Sequence, residues 1–181
     1  RFNGKWLREN LNAKVFYIVR NGKDYLKSAY ARDIYTPFES QLSIVPKDRD
    51  DFSRVWYKMS RFEKICWYWM STNEYLYNCS NGNIIHFESL LTSYEYFNRK
   101  LLKPLAITSF SKNDYLSILN KPVNKSSNYI LRKKVKNFFT RSQPMQQELP
   151  SYKYWDEEKK KVFTEICGKT MNKLGYEHKT L

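Results

Sequence analysis

Acidic residues are scarce in this sequence. Eighteen Asp and Glu stand against 32 Lys and Arg, a net charge of +14. Such a balance attracts anions: nucleotides, sulfated glycans, nucleic acids or acidic membrane surfaces. Histidine is scarcer still, with only His86 and His178. Neither stands at a familiar metal-ligand spacing from the cysteines, so no metal site is expected. The cysteines are three, Cys66, Cys79 and Cys167, an odd number that implies no disulfide framework. Cys66 and Cys167 fall on apolar helix faces and read as small buried residues. No apolar run approaches the roughly 20 residues needed to cross a bilayer, so no transmembrane segment is expected. No secretory pattern opens the chain, and a soluble, cytoplasmic setting is favoured. The sequons Asn78-Cys79-Ser80 and Asn124-Lys125-Ser126 would matter only in a secreted chain. No Ser–His–Asp set can be assembled. Gly168-Lys169-Thr170 imitates the end of a Walker loop, but Phe163 stands where that loop needs its first glycine.

What is present is a core. Apolar residues make up 41% of the 181 residues and aromatic residues 17%, enough for one folded domain over residues 1–181. The organising stretch is Lys14 to Tyr30, KVFYIVRNGKDYLKSAY. Val15 to Val19 is a short β-rich run of the kind found in parallel strands covered on both faces. Arg20 ends it, Gly22 supplies a flexible turn, and a helix follows over about 23–33. Ser28 lies two turns into that helix. Ligands of open α/β sheets bind at the carboxyl ends of strands. A guanidinium there, with helix N-terminal N–H groups and a hydroxyl, suits a phosphate.

The run YIVRNGKDYLKSAY resembles the second nucleotide-binding element of the sulfotransferases: a strand, an Arg, a short turn, and a Ser on the next helix. The resemblance implies that Arg20 and Ser28 are cofactor-binding residues. They would hold the 3′-phosphate of the donor, 3′-phosphoadenosine 5′-phosphosulfate. Most relatives have proline where this chain has Gly22. Two further stretches follow the family's order. WYWMSTNEYLYNCSNGNIIHFESLL is similar to its Trp-bearing helix, turn, strand and Leu-rich helix, and FTEICGKTMNKLGYE to its last helix. Thr108-Ser109-Phe110 bears a weaker likeness to a donor-contacting motif.

Elsewhere the patterning predicts a helix over 4–12, a polar loop over 36–50 and a long aromatic helix over 51–78. A strand is expected over 84–87 with Glu88 at its carboxyl end, then a helix over 90–102. Glu88 reads as structural and His86 as a packed histidine. Residues 104–128 read as loop, with Asn120 to Ser126 as a donor-facing basic segment. A short basic helix is expected over 130–140, a linker over 142–154, and a closing helix over 156–174 capped by Gly175. The charge concentrates between Lys121 and Arg141, where Lys121, Lys125, Arg132, Lys133, Lys134, Lys136 and Arg141 meet no acidic residue.

The fold class expected is α/β: a P-loop-NTPase-like parallel sheet flanked by helices, lacking its N-terminal part. Only 19 residues precede Arg20, and they hold neither the family's lysine-bearing 5′-phosphosulfate loop nor a catalytic base. The chain is therefore expected to be a fragment of the domain, with the catalytic residues unknown. The implied activity is transfer of a sulfuryl group to a hydroxyl or amine acceptor, with the nucleotide donor as co-substrate and no metal. Self-association is left open, and nucleic acid is a disfavoured partner. Two rivals stand beside this reading: a basic non-enzymatic module binding nucleic acid or sulfated glycan, and another nucleotide-dependent α/β enzyme.

Overall fold

The computed structural model describes residues 4–32, 34–36, 44–80, 83–120 and 148–176. The architecture is α/β: helices with one small parallel sheet. The chain divides into two compact units. One, the helical unit, comprises Arg1–Val15, Asn21–Gly82 and Gln147–Leu181; the other, the strand unit, comprises Phe16–Arg20 and Asn83–Gln146.

The helical unit is built on α1 (Gly4–Leu11), α2 (Gly22–Tyr30), α3 (Arg61–Ser80) and α7 (Glu157–Lys173). The helix α3 packs on α7, and α2 and α1 pack on α3. Its core holds Trp67, Trp69, Phe163, Leu26, Ile65 and Met171, all fully buried. Cys66 and Cys167 are buried with them, as their apolar positions predict, and the Cys167 thiol donates to the Cys66 carbonyl at 3.5 Å. Burial, and then the adjacent Cys167, push the Cys66 thiol pKa well up, which keeps it protonated and unreactive.

The expected helix over 51–78 starts ten residues later. Residues 51–55 form turns and Trp56–Lys58 a single 3₁₀ turn. The reason is a capping box: the Glu63 side chain accepts from the Ser60 N–H at 2.6 Å, and the Ser60 hydroxyl accepts from the Glu63 N–H at 3.3 Å. The apolar rhythm of Phe52, Val55 and Trp56 continues across that boundary because Trp56 packs edge-on against Trp67, with centroids 5.0 Å apart. The closing helix α7 matches expectation. Asp156 caps its start by accepting from the Lys159 N–H at 2.7 Å. At its end Tyr176 donates to the Met171 carbonyl and Gly175 to that of Asn172, each at 3.0 Å. This is a Schellman motif, with Gly175 at φ 75°.

The strand unit carries β1 (Tyr17–Val19) and β2 (Ile84–His86), paired in parallel with Ile18 opposite Ile85. After β2 come α4 (Phe87–Thr92), α5 (Tyr94–Phe97), a π-helical turn (Asn98–Leu102) and α6 (Lys112–Leu119). Three expectations change here. The run Val15–Val19 contributes only a three-residue strand with alternating burial, and Ile18 is 50% exposed rather than covered. The helix expected over 90–102 breaks at Ser93, whose hydroxyl accepts from the Tyr96 N–H and restarts the helix as α5. The loop expected over 104–128 contains α6, opened by a Ser111–Asp114 capping box. The basic helix expected over 130–140, the linker's first residues and the segment after Asn120 lie outside the described residues.

Candidate functional site

Arg20 follows the last residue of β1, at the carboxyl end of the parallel pair. It is exposed, and its guanidinium carbon lies 5.5 Å from the centre of the Phe87 ring, the residue that follows β2. The carboxyl edge of the sheet thus pairs a cation with an aromatic face, a contact of about 0.5–1 kcal/mol at an exposed position.

Only Asn21 separates Arg20 from α2. It is the N-cap, and its side-chain oxygen accepts from the Lys23 N–H at 3.0 Å. That bond uses one of the first-turn N–H groups expected to face an anion, a correction that the helix-capping preference of Asn could have signalled. Lys23 lays its ammonium 3.8 Å from the centre of the Tyr152 ring. Burial lowers its pKa from the usual lysine value, and neighbouring Asp24 opposes that shift.

Gly22 is not the flexible turn expected. It is the first residue of α2 and buried, and Gly175 alone among the described glycines has a positive φ. Its role is close packing: a Cβ there would come within 3.1 Å of Phe163 and 3.2 Å of both Met171 and Trp69. Leu26 and Ala29 complete the buried stripe of α2. Ser28 is half-buried off that stripe, one turn beyond Asp24. Arg20 therefore belongs to the strand unit and Ser28 to the helical unit, each fixed by its own element.

No protein-family model, curated protein or solved structure matches this chain.

The remaining candidates take structural positions. The backbone N–H of His86 donates to the Tyr96 hydroxyl at 3.0 Å, and its Nδ1 lies 3.3 Å from the same oxygen. It is a packed histidine held by Tyr96. Glu88 lies in the first turn of α4, where a carboxylate complements the helix dipole. Thr108 and Ser109 are exposed, while the Phe110 ring packs on Phe97 with centroids 5.5 Å apart. Gly168-Lys169-Thr170 lies inside α7, and the buried Thr170 hydroxyl donates to Glu74 at 2.9 Å. Among the described residues no cluster of three or more His, Cys, Asp or Glu could hold a metal. Nor is any described helix long and apolar enough to cross a membrane.

Proposed function

We propose that this chain is part of a sulfotransferase domain of P-loop-NTPase-like architecture, in which Arg20 and Ser28 bind the 3′-phosphate of 3′-phosphoadenosine 5′-phosphosulfate. One observation carries the reading. A strand of a parallel pair ends in Arg20, a single capping residue follows, and Ser28 stands in the second turn of the next helix. Carboxyl ends of parallel strands are where α/β sheets receive ligands. An arginine offers paired N–H donors matched to phosphate oxygens, and a serine hydroxyl adds a third.

In this reading the two residues do not touch the reacting sulfur. Sulfuryl transfer breaks the bond from sulfur to the bridging oxygen of the donor, forms one to the acceptor oxygen or nitrogen, and moves the acceptor proton to a base. Charge builds on the bridging oxygen, where cations and N–H donors are most effective. No residue of this chain is assigned to stabilise that charge or to act as the base. Arg20 and Ser28 orient the donor from its far end.

Calorimetric titration tests this. Adenosine 3′,5′-bisphosphate should bind at least about tenfold more tightly than adenosine 5′-monophosphate, the worth of one charge-assisted contact. Arg20→Glu should remove that preference. Equal binding of the two nucleotides would sink the assignment. The net charge of +14 supports a second reading, a basic module for nucleic acid or sulfated glycan. Its signature is affinity that falls steeply with salt and that the bisphosphate does not compete away.

A further inference from the structure

The strand unit contains a recess of about 640 Å³ between α4, α5, the π-helical turn and the start of α6. That volume is in the range that holds small-molecule ligands, roughly 300–1,000 Å³. Its aromatic side is fixed. The Tyr94 hydroxyl donates to the Phe110 carbonyl at 3.1 Å and its ring leans on Tyr115, with centroids 5.6 Å apart. The Tyr96 hydroxyl accepts from the His86 N–H. Three cations line the recess, Arg99, Lys103 and Lys112, against one carboxylate, Glu95. Arg99 stands over the Tyr96 ring at 5.9 Å. Lys112 is 4.0 Å from Glu95 with both side chains largely exposed, so that pair neutralises little.

The backbone adds an independent observation. Asn98–Leu102 is a π-helical turn, with Lys103 donating to the Asn98 carbonyl five residues back at 2.9 Å. Such turns are uncommon and recur at functional sites, because the extra residue displaces side chains from helical register. Arg99 lies within this turn and Lys103 directly after it, and both line the recess.

We propose that this recess is a binding site for a ring-bearing small molecule carrying a phosphate or sulfate monoester. Arg99, Lys103 and Lys112 hold the oxyanion, and Tyr94 and Tyr96 form the wall for the ring. The two esters share one chemistry, a tetrahedral oxyanion on an aromatic or sugar-sized body. Neither Arg20 nor Ser28 lines the recess, and neither assignment depends on the other.

The test is calorimetric titration of the chain with p-nitrophenyl phosphate, p-nitrophenyl sulfate and neutral 4-nitrobenzyl alcohol. Both esters should bind and the alcohol should not. The tighter ester identifies which source the site serves. The double variant Arg99→Ala, Lys103→Ala removes two exposed side chains, so its thermal unfolding should be unchanged while ester affinity falls at least about tenfold, the loss of one or two charge-assisted contacts. Glu95→Gln removes the opposing charge and should tighten binding. Equal binding of the alcohol or indifference to the double variant would each overturn the assignment.

Discussion

Two indole rings and a phenyl ring, those of Trp67, Trp69 and Phe163, are fully buried in the helical unit, together with Leu26, Ile65 and Met171. Among the described residues of the strand unit the largest fully buried side chains are Ile85 and Val19, with Tyr17 and Tyr115 nearly as buried. Both units also expose apolar side chains, Trp6, Leu11 and Tyr57 in the first and Ile18, Leu105 and Ile118 in the second. Each buried aromatic removes about 150–250 Å² from water, and among the described residues most of the buried aromatic rings belong to the helical unit. The second spends its sequence on caps, a π-helical turn and a cationic recess. The contrast separates a unit held by an aromatic core from one that carries a recess lined by three cations. The helix bearing Ser28 is set by the first, while Arg20 and the recess belong to the second.

Three perturbations sharpen this contrast. The largest effect is expected from Phe163→Ala in the helical core. Phe163 is 0% exposed and meets Trp155 edge-on at 5.5 Å, so truncation should cost about 3–5 kcal/mol through lost transfer energy and a cavity. Chemical denaturation should report it, and a loss below about 1 kcal/mol would show that this core is not tightly packed.

Gly22→Ala comes next. The added methyl meets two buried rings and the Met171 sulfur at 3.1–3.2 Å, so overpacking should cost about 1–3 kcal/mol. A gain in stability would mean that helix propensity outweighs crowding and that Gly22 is not a packing residue.

Acid gives the smallest effect and compares one cap in each unit. Hydrogen bonding from Lys159 lowers the pKa of Asp156, and hydrogen bonding from Ser111 lowers that of Asp114. A carboxyl whose pKa is lower folded than unfolded contributes fully above the ordinary aspartate range. That contribution is lost as pH falls through the depressed folded value. Amide protection at the starts of α7 and α6, taken relative to the intrinsic exchange rate at each pH, should therefore fall on acidification. Asp156→Asn and Asp114→Asn should each flatten the pH dependence of their own helix only; a flattening shared by both helices would argue that the two caps are coupled. Both side chains are solvent-facing, which keeps the effect small.

Much of this was legible one residue type at a time. The closing helix was readable from Asp156 to Gly175 because a cap, a 3.6-residue rhythm and a terminal glycine agree. The strand end at Val19 was readable because a β-rich run stops at Arg20, whereas the second strand, expected to include Phe87, ends at His86, where α4 begins. The start of α3 was obscured because aromatic residues before Ser60 keep the same rhythm while serving the core from a 3₁₀ turn. The Ser60–Glu63 box was the signal that decided it. The helix α6 was hidden among Ser, Asn and Pro, although Ser111 and Asp114 stand at capping-box spacing. The recess had no linear signature, since its cations come from a π-helical turn and from the first residue of a separate helix.

By itself the sequence determined the α/β composition, the helices whose caps and apolar stripes coincide, and the placing of Arg20 at a strand end before a helix carrying Ser28. These follow from local rules: backbone preference, capping and hydrophobic period. Tertiary structure decided what depends on distant neighbours. Gly22 is small because Trp69, Phe163 and Met171 crowd it, not because the chain turns there. Ile18 stays half exposed because it points to the opposite face of β1 from the buried Tyr17 and Val19, which alone face the core. Arg99, Lys103 and Lys112 line one recess because the fold brings the π-helical turn and the start of α6 to the same surface.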